Sequence, residues 1–332
     1  MHVNSNTSRV DPPELELRRF MEAILSEAAG HQAKIDCFKR EPSPFATLFP
    51  ADVLTISLDG GDTISLFLKH LGSEEADHPD KQCRDREIRV YRELLTDGRL
   101  PVARYYGSRW NGRSQCHEVV LEYIDGWILK YHHLEHWFTA ARRLAHLHAH
   151  FAAQADKLWS CQYLLHFDTR YYSDWAARAL ATVAEQSAEL ARALEDVLSQ
   201  YHRAAALLAE QPGTLVHNDL APKNVVVDTT DTPARICIVD WEMAGVGCGL
   251  ADLVHLKYGL DPLNDQKMCA AYCEELAGTN LIPSSPRELD SLIAACELYN
   301  TLHRLWRSNV WQLPIQRVAQ WVAEARAFML RI

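Results

Sequence analysis

The chain has 332 residues, 48% hydrophobic and 23% charged, a balance that excludes disordered and fibrous classes and allows one large domain or two modest ones. Its 34 basic and 44 acidic side chains leave a formal net charge of −10, spread over both halves; this disfavours a general nucleic-acid binder and leaves cations or metal-bridged anions as easier partners. Nine scattered cysteines without a CxxC pair, a polar start and no apolar run of about 18 residues describe a cytoplasmic chain with reduced thiols and no membrane span.

Residues 1–10 read as a loose tail. Asp11-Pro12-Pro13 predicts a helix start, and Leu17, Phe20, Met21, Ile24, Leu25 and Ala28 follow at helical spacing as one apolar stripe. Val53, Ile56 and Leu58, then Ile64, Leu66 and Leu68, flank Asp59-Gly60-Gly61-Asp62 and predict strand, tight turn and strand, the second ending in Phe67-Leu68-Lys69. Residues 81–95 return to a helix. Two further strands, 102–110 and 116–123, join at Asn111-Gly112.

From Gly126 the strands nearly vanish. Trp137, Ala141, Leu144, Ala145, His148 and Phe151 mark one face of a helix over 135–154, with His148 a satisfied core histidine. Residues 176–209 read as helical. Val225-Val226-Val227 and Ile236-Cys237-Ile238-Val239 are two short β-like runs, and helical composition resumes from about 250. Cys269 and Cys273 share a helix face as small apolar residues rather than half of a zinc site. The expectation is an α+β fold: a β-rich N-terminal lobe over 1–125 and a mainly helical C-terminal lobe over 126–332 with a small hairpin inside it.

That hairpin carries the chemistry. His217-Asn218-Asp219-Leu220-Ala221-Pro222-Lys223-Asn224 precedes one strand, and Val239-Asp240-Trp241-Glu242 closes the next. The turn near Asp228–Asp231 makes a hairpin that brings Asn224 and Asp240 close together. The pattern resembles the protein-kinase-like phosphotransferases, and most nearly the small-molecule kinases: aminoglycoside phosphotransferases and choline/ethanolamine kinases. The His-Asn-Asp-Leu and Asp-Trp-Glu runs are similar to the choline-kinase versions, and the resemblance covers about residues 34–310.

The resemblance implies a bilobal kinase-like fold that transfers the γ-phosphoryl group of ATP or GTP to a hydroxyl of a small molecule, with Mg²⁺ between the acidic site and the phosphates. Asp219 is then the base that accepts the hydroxyl proton. Asn224 and Asp240 are oxygen ligands of suitable hardness for Mg²⁺, and Glu242 holds the metal's water shell. Lys69 resembles the strand lysine that contacts the α- and β-phosphates. Glu87 aims that lysine, with Glu93 competing for the role. The strand Val119–Ile124 resembles the hinge, where the backbone of Glu122, Tyr123 and Ile124 pairs with adenine. His217 is a scaffold of the loop. Asp252 either receives hydrogen bonds from the loop backbone or caps a helix.

Three departures refine the reading. No GxGxxG precedes Lys69; the equivalent stretch is Arg40–Ala46, in which Ser43 and nearby N–H groups would cap a phosphate and two prolines remove donors. Ala221 stands where protein kinases commonly place a lysine. Asp240 and Asp252 are too close for a peptide-docking activation segment, which leaves a small acceptor. A choline-type acceptor asks for aromatic faces, for which Trp306 and Trp311 are candidates against a plain core stripe. An aminoglycoside asks for carboxylates, of which Asp168, Asp174, Glu274, Glu275 and Glu297 are available. The alternative of another class is a catalytically silent nucleotide-binding pseudokinase, against which the filled lysine, acid and amide positions speak.

Overall fold

Four apolar side chains at helical spacing set the N-terminal architecture. The computed structural model describes residues 12–44, 49–72 and 78–332, so the tail, Asp11 and Phe45-Ala46 of the expected phosphate loop lie outside the described residues. Helix α1 (Pro12–Ala29) turns Leu17, Met21, Ile24 and Leu25 into a core with Ile35, Leu54, Ile56, Leu66, Leu68 and Val120. Ala28, at the end of the predicted stripe, is exposed.

The apolar partners come from a five-stranded antiparallel sheet. Its strands are β1 (Ile35–Pro42), β2 (Ala51–Leu58), β3 (Thr63–Leu71), β4 (Tyr105–Asn111) and β5 (Cys116–Glu122), in the order β1-β2-β3-β5-β4. The turn between β2 and β3 needs its glycines, since Gly60 and Gly61 have φ of 135° and 94°. Strand β1 was not expected. It lies at the sheet edge with most side chains exposed, so it lacks the alternation that marks a half-buried strand, and Pro42 is tolerated there. Period-two alternation puts Leu66 and Leu68 on the α1 face and Lys69 on the opposite one.

Beyond the apolar core the α1 face continues as a row of charges, one from each strand. Arg40 pairs with Asp52 at 2.7 Å, His70 bridges Asp52 (2.8 Å) and Glu118 (3.3 Å), and Arg109 closes on Glu118 at 2.6 Å. Cys116, His70 and Glu118 place ligand-type atoms within 4.8 Å of one another. Glu118 is nevertheless engaged by Arg109, Asn111 and His70, which makes the group an ion-pair ladder rather than a seat for a metal.

The chain forms two compact units, one of Met1–Ala76, Tyr91–Thr96 and Ala103–Ile124, the other of Asp77–Val90, Asp97–Val102 and Asp125–Ile332. The expected helix over 81–95 is a 3-10 turn at Pro79–Lys81 followed by α2 (Arg86–Glu93), which contributes residues to both. Val102, expected to open a strand, instead bridges Ile238 in the second unit.

The second unit is helical, as its composition predicts. It contains β6 (Trp127–Ile128), α3 (Leu134–Ala152), α4 (Ala155–Ser160), β7 (Leu165–His166), α5 (Thr169–Gln186), α6 (Ala188–Leu198), α7 (Tyr201–Ala209) and β8 (Thr214–Val216). There follow β9 (Val225–Asp228), β10 (Arg235–Ile238), β11 (Gly245–Gly247), α8 (Leu250–Lys257), α9 (Pro262–Glu275), α10 (Pro286–Arg307) and α11 (Ile315–Met329). The six residues predicted on the inner face of α3 are all buried. The single helical stretch over 176–209 resolves into three helices: Ser187 leaves helical geometry (φ −159°) and caps α6 by accepting from the Leu190 N–H, and Ser199-Gln200 separate α6 from α7. Helix α10 packs on α5, α7, α8 and α11 and forms the centre of the unit. Two small sheets, β10-β9-β6 and β7-β11-β8, carry the loop that follows β8.

Candidate active site

The loop His217–Asn224 leaves β8 and enters β9 through a 3-10 turn at Pro222–Asn224. Strands β9 and β10 pair Val225 with Ile238, and the Val239 N–H donates to the Asn224 carbonyl at 3.0 Å. The hairpin thus sets Asn224 opposite the residue before Asp240. The Asn224 Nδ2 donates to the Asp219 carbonyl at 2.7 Å and lies 3.3 Å from its Oδ2, so the side-chain amide is oriented by the loop itself. Asp219 is part-exposed, with its side chain 36% accessible and Lys223 Nζ 3.4 Å away. Asp240 takes a left-handed backbone, φ 73°, at the end of β10.

A buried layer fixes this loop from behind. Asp252, on α8, accepts from the His217 N–H at 2.7 Å and from the Asn218 N–H at 2.9 Å. Burial pushes the Asp252 carboxyl up, but His148, His217 and the amide bond outweigh it and hold it below the ordinary carboxylate value. His148 sits 3.4 Å from Asp252 and 2.7 Å from the Tyr272 hydroxyl. A Cβ on Gly249 would fall 2.7 Å from the His148 ring, so only glycine admits this approach. The His217 Nε2 lies 2.9 Å from the Val239 carbonyl and its ring packs on Trp241, which is buried completely.

Glu242 and the expected phosphate loop are placed differently from the expectation, whereas Lys69, Glu87 and Glu122 lie on the expected strands and helix. Glu242 forms an ion pair with Lys81, and Arg86 donates to its carbonyl at 2.8 Å, so the carboxylate already serves a cation of the chain. The Ser43 N–H donates to the Ala51 carbonyl at 2.7 Å and is therefore committed to the sheet. Arg40, Glu41 and Pro42 of the expected phosphate loop belong to β1. Lys69 and Glu87 are both buried, Lys69 on β3 and Glu87 in the first turn of α2. The amides of Glu122 and Tyr123 donate to the Arg104 and Ser65 carbonyls.

The acceptor candidates separate. Trp306 joins a ring cluster with His78 (4.9 Å) and Trp175 (5.0 Å), whereas Trp311 is exposed beside Trp321. Burial first, and then Arg307, Lys81 and Arg178, lower His78 to about 3, which keeps this cluster's ring neutral. The carboxylates do not converge. Asp168 caps α5 at the Tyr171 N–H, Glu275 pairs with His146 and Glu297 with Lys257, while Asp174 and Glu274 are exposed.

Asn218, Asp80, Tyr171 and Tyr299 were not singled out in the sequence, yet they form a buried hydrogen-bonded group against the loop. The available signal was Asn218 itself, a residue type that accepts φ above zero; its φ is 65°. The partners lie 47 to 138 residues away in sequence and carry no local signature.

The sequence model of the phosphotransferase enzyme family matches residues 55–282, which includes Lys69, the whole loop and Asp252. The chain belongs to the phosphotransferase enzyme family. This phosphotransferase is similar in structure to a microcompartment-associated aminopropanol kinase (16% identity, 92% of this chain and 95% of that one, TM-score 0.58). It is also similar to an aminoglycoside 2'-phosphotransferase solved with GDP (14%, 94% and 96%, TM-score 0.56) and to a choline kinase from Streptococcus pneumoniae (13%, 96% and 100%, TM-score 0.54). At these identities the likeness establishes the kinase-like fold, with a sheet-rich N-terminal part and a helical C-terminal part. No curated protein matches the sequence.

Proposed function

We propose that this phosphotransferase moves the γ-phosphoryl group of ATP or GTP to a hydroxyl of a small molecule, with Asp219 as the base. The observation that carries the reading is the joint geometry of the loop: a part-exposed Asp219, its carbonyl held by the Asn224 amide, and Asp240 one residue beyond the Asn224–Val239 pair. On this reading Asp219 takes the acceptor's proton and aims its oxygen, and the bonds of Asp252 to the His217 and Asn218 amides anchor the loop that carries it.

The donor set suits Mg²⁺. The Nδ2 bond to Asp219 leaves Asn224 Oδ1 as its ligand atom, and Asp240 adds a carboxylate; both are hard oxygen ligands. When bound, the ion would neutralise phosphate charge. Lys69 is assigned to the nucleotide phosphates, and Glu87 keeps the supporting role that the resemblance implies for it. Adenine or guanine pairing is assigned to the backbone around Glu122, Tyr123 and Ile124, where the Glu122 and Tyr123 amides already donate to the Arg104 and Ser65 carbonyls. Glu242 is withdrawn from the metal set in favour of its pair with Lys81.

The acceptor class is a hydroxylated small molecule, an amino alcohol or an antibiotic-like sugar. Aminopropanol, choline and aminoglycosides are the acceptors named for the similar structures and form the natural test panel. The experiment is Mg²⁺-dependent nucleotide consumption across hydroxylated amines, aminoglycosides and nucleosides. Acceptor-stimulated turnover is expected; its absence across the panel supports the pseudokinase alternative. Asp219→Asn is expected to lower kcat by roughly 10²–10⁴-fold with nucleotide binding retained, and full transfer by that variant would remove the base assignment.

A further inference from the structure

Asn218 stands immediately before Asp219 and is held in the left-handed region, φ 65°, which glycine and asparagine adopt far more readily than other residues. Its side chain is fully committed. Nδ2 donates to Asp80 Oδ2 at 3.3 Å and to the Tyr171 hydroxyl at 3.1 Å, and Oδ1 accepts from the Tyr299 hydroxyl at 2.9 Å. Tyr171 donates in turn to the same Asp80 oxygen at 2.7 Å. Asp80, Asn218 and Tyr299 are 4%, 2% and 2% exposed, while Tyr171 is partly buried, so the group is largely shielded from water.

Asp80 is itself pinned. It lies in the 3-10 turn Pro79–Lys81, its N–H donates to His78 Nδ1 at 3.2 Å, and Arg86 donates to its carbonyl. Arg86 also holds the Glu242 carbonyl, and Lys81 pairs with the Glu242 carboxylate. One short turn is therefore bonded both to the segment carrying Asp219 and to the segment carrying Asp240.

We infer that Asp80 is a positioning residue for phosphoryl transfer: through the Asn218 side chain it holds the left-handed turn that aims Asp219. This rests on the reading of Asp219 as the base. Asp80 touches no reacting group; it acts by leaving Asn218 one available arrangement. A displacement of the base by about 1 Å is enough to cost on the order of 10²-fold in rate.

The test uses the full chain and its best acceptor from the panel. Asp80→Ala is expected to lower kcat by roughly 10–100-fold while both KM values stay within about twofold. Asp80→Asn, which retains an acceptor oxygen for Tyr171 and Asn218, is expected to recover most of that loss. Asn218→Gly accepts the backbone angle but lacks the amide, and its effect should not add to that of Asp80→Ala. Hydrogen exchange supplies a readout without turnover: the amides over 217–224 should exchange faster in Asp80→Ala, with the rest of the chain little changed. If Asp80→Ala does not fold, Tyr299→Phe deletes one hydroxyl and carries the same two readouts, with a loss of roughly 3–10-fold. Unchanged kcat, additive losses or unchanged exchange in the loop would overturn the inference. A wild-type chain that transfers to no acceptor, yet whose loop responds in exchange, would overturn the base assignment instead and leave the positioning bonds standing.

Discussion

Asp252 shows how much one side chain can carry. It is completely buried, yet it stays ionised because the His217 and Asn218 amides and the His148 ring surround it. Replacing it with alanine leaves two buried N–H donors without a partner, each costing about 1–3 kcal/mol. Asp252→Ala is therefore expected to lose roughly 2–6 kcal/mol of stability, read as a fall in the urea midpoint, together with most of the activity. The ambiguity between helix cap and loop anchor has a geometric outcome. The Asp252 carboxylate bonds the loop backbone, and Gly249 rather than Asp252 occupies the cap position of α8. Glu242 teaches the opposite lesson. A carboxylate two residues from Asp240 looks like metal chemistry in the sequence, but its neighbour in space is Lys81, 161 residues away.

Among the elements, the five-stranded sheet has a titratable seam. Burial works against a charged His70, but Glu118 and Asp52 outweigh it and raise its pKa above the ordinary 6.5. A raised folded value means that the stabilisation is fully present below pH 6.5 and is lost as the pH rises through the folded value. The urea midpoint should accordingly fall as the pH is taken upward from about 6.5, and His70→Gln should flatten that slope. A variant with the wild-type slope would remove His70 as its source. Glu118 is lowered to about 2: burial opposes it, but His70, Asn111 and Arg109 prevail, so its share is fully present above about pH 4.5 and is lost as the pH falls towards about 2. The same elements explain a prediction that failed. Strand β1 reads Ile-Asp-Cys-Phe-Lys-Arg-Glu-Pro, and only its pairing with β2 makes it a strand.

For the whole molecule the governing quantity is the net charge of −10. On the proposed reading a nucleoside triphosphate would add negative charge beside Asp219 and Asp240, and a divalent cation would be needed to offset it. Chelating Mg²⁺ should abolish turnover. Metal-free nucleotide should bind more weakly as ionic strength falls, because screening of the like charges weakens. Binding that is indifferent to both would contradict the proposed metal role of Asn224 and Asp240.

The sequence by itself determined the α+β class, the helical second half, the β9–β10 hairpin and the loop between His217 and Asn224, because these depend on local periodicity and short spacings. It also sufficed to place the chain among phosphotransferases, since the motif packs its chemistry into few residues. Only the tertiary structure decided what surrounds that motif. It gave Glu242 to Lys81, committed the Ser43 amide to the sheet, and brought Asp80, Tyr171 and Tyr299 to Asn218. These contacts join residues far apart in the chain, and burial rather than sequence spacing selects the partner that each polar group must find.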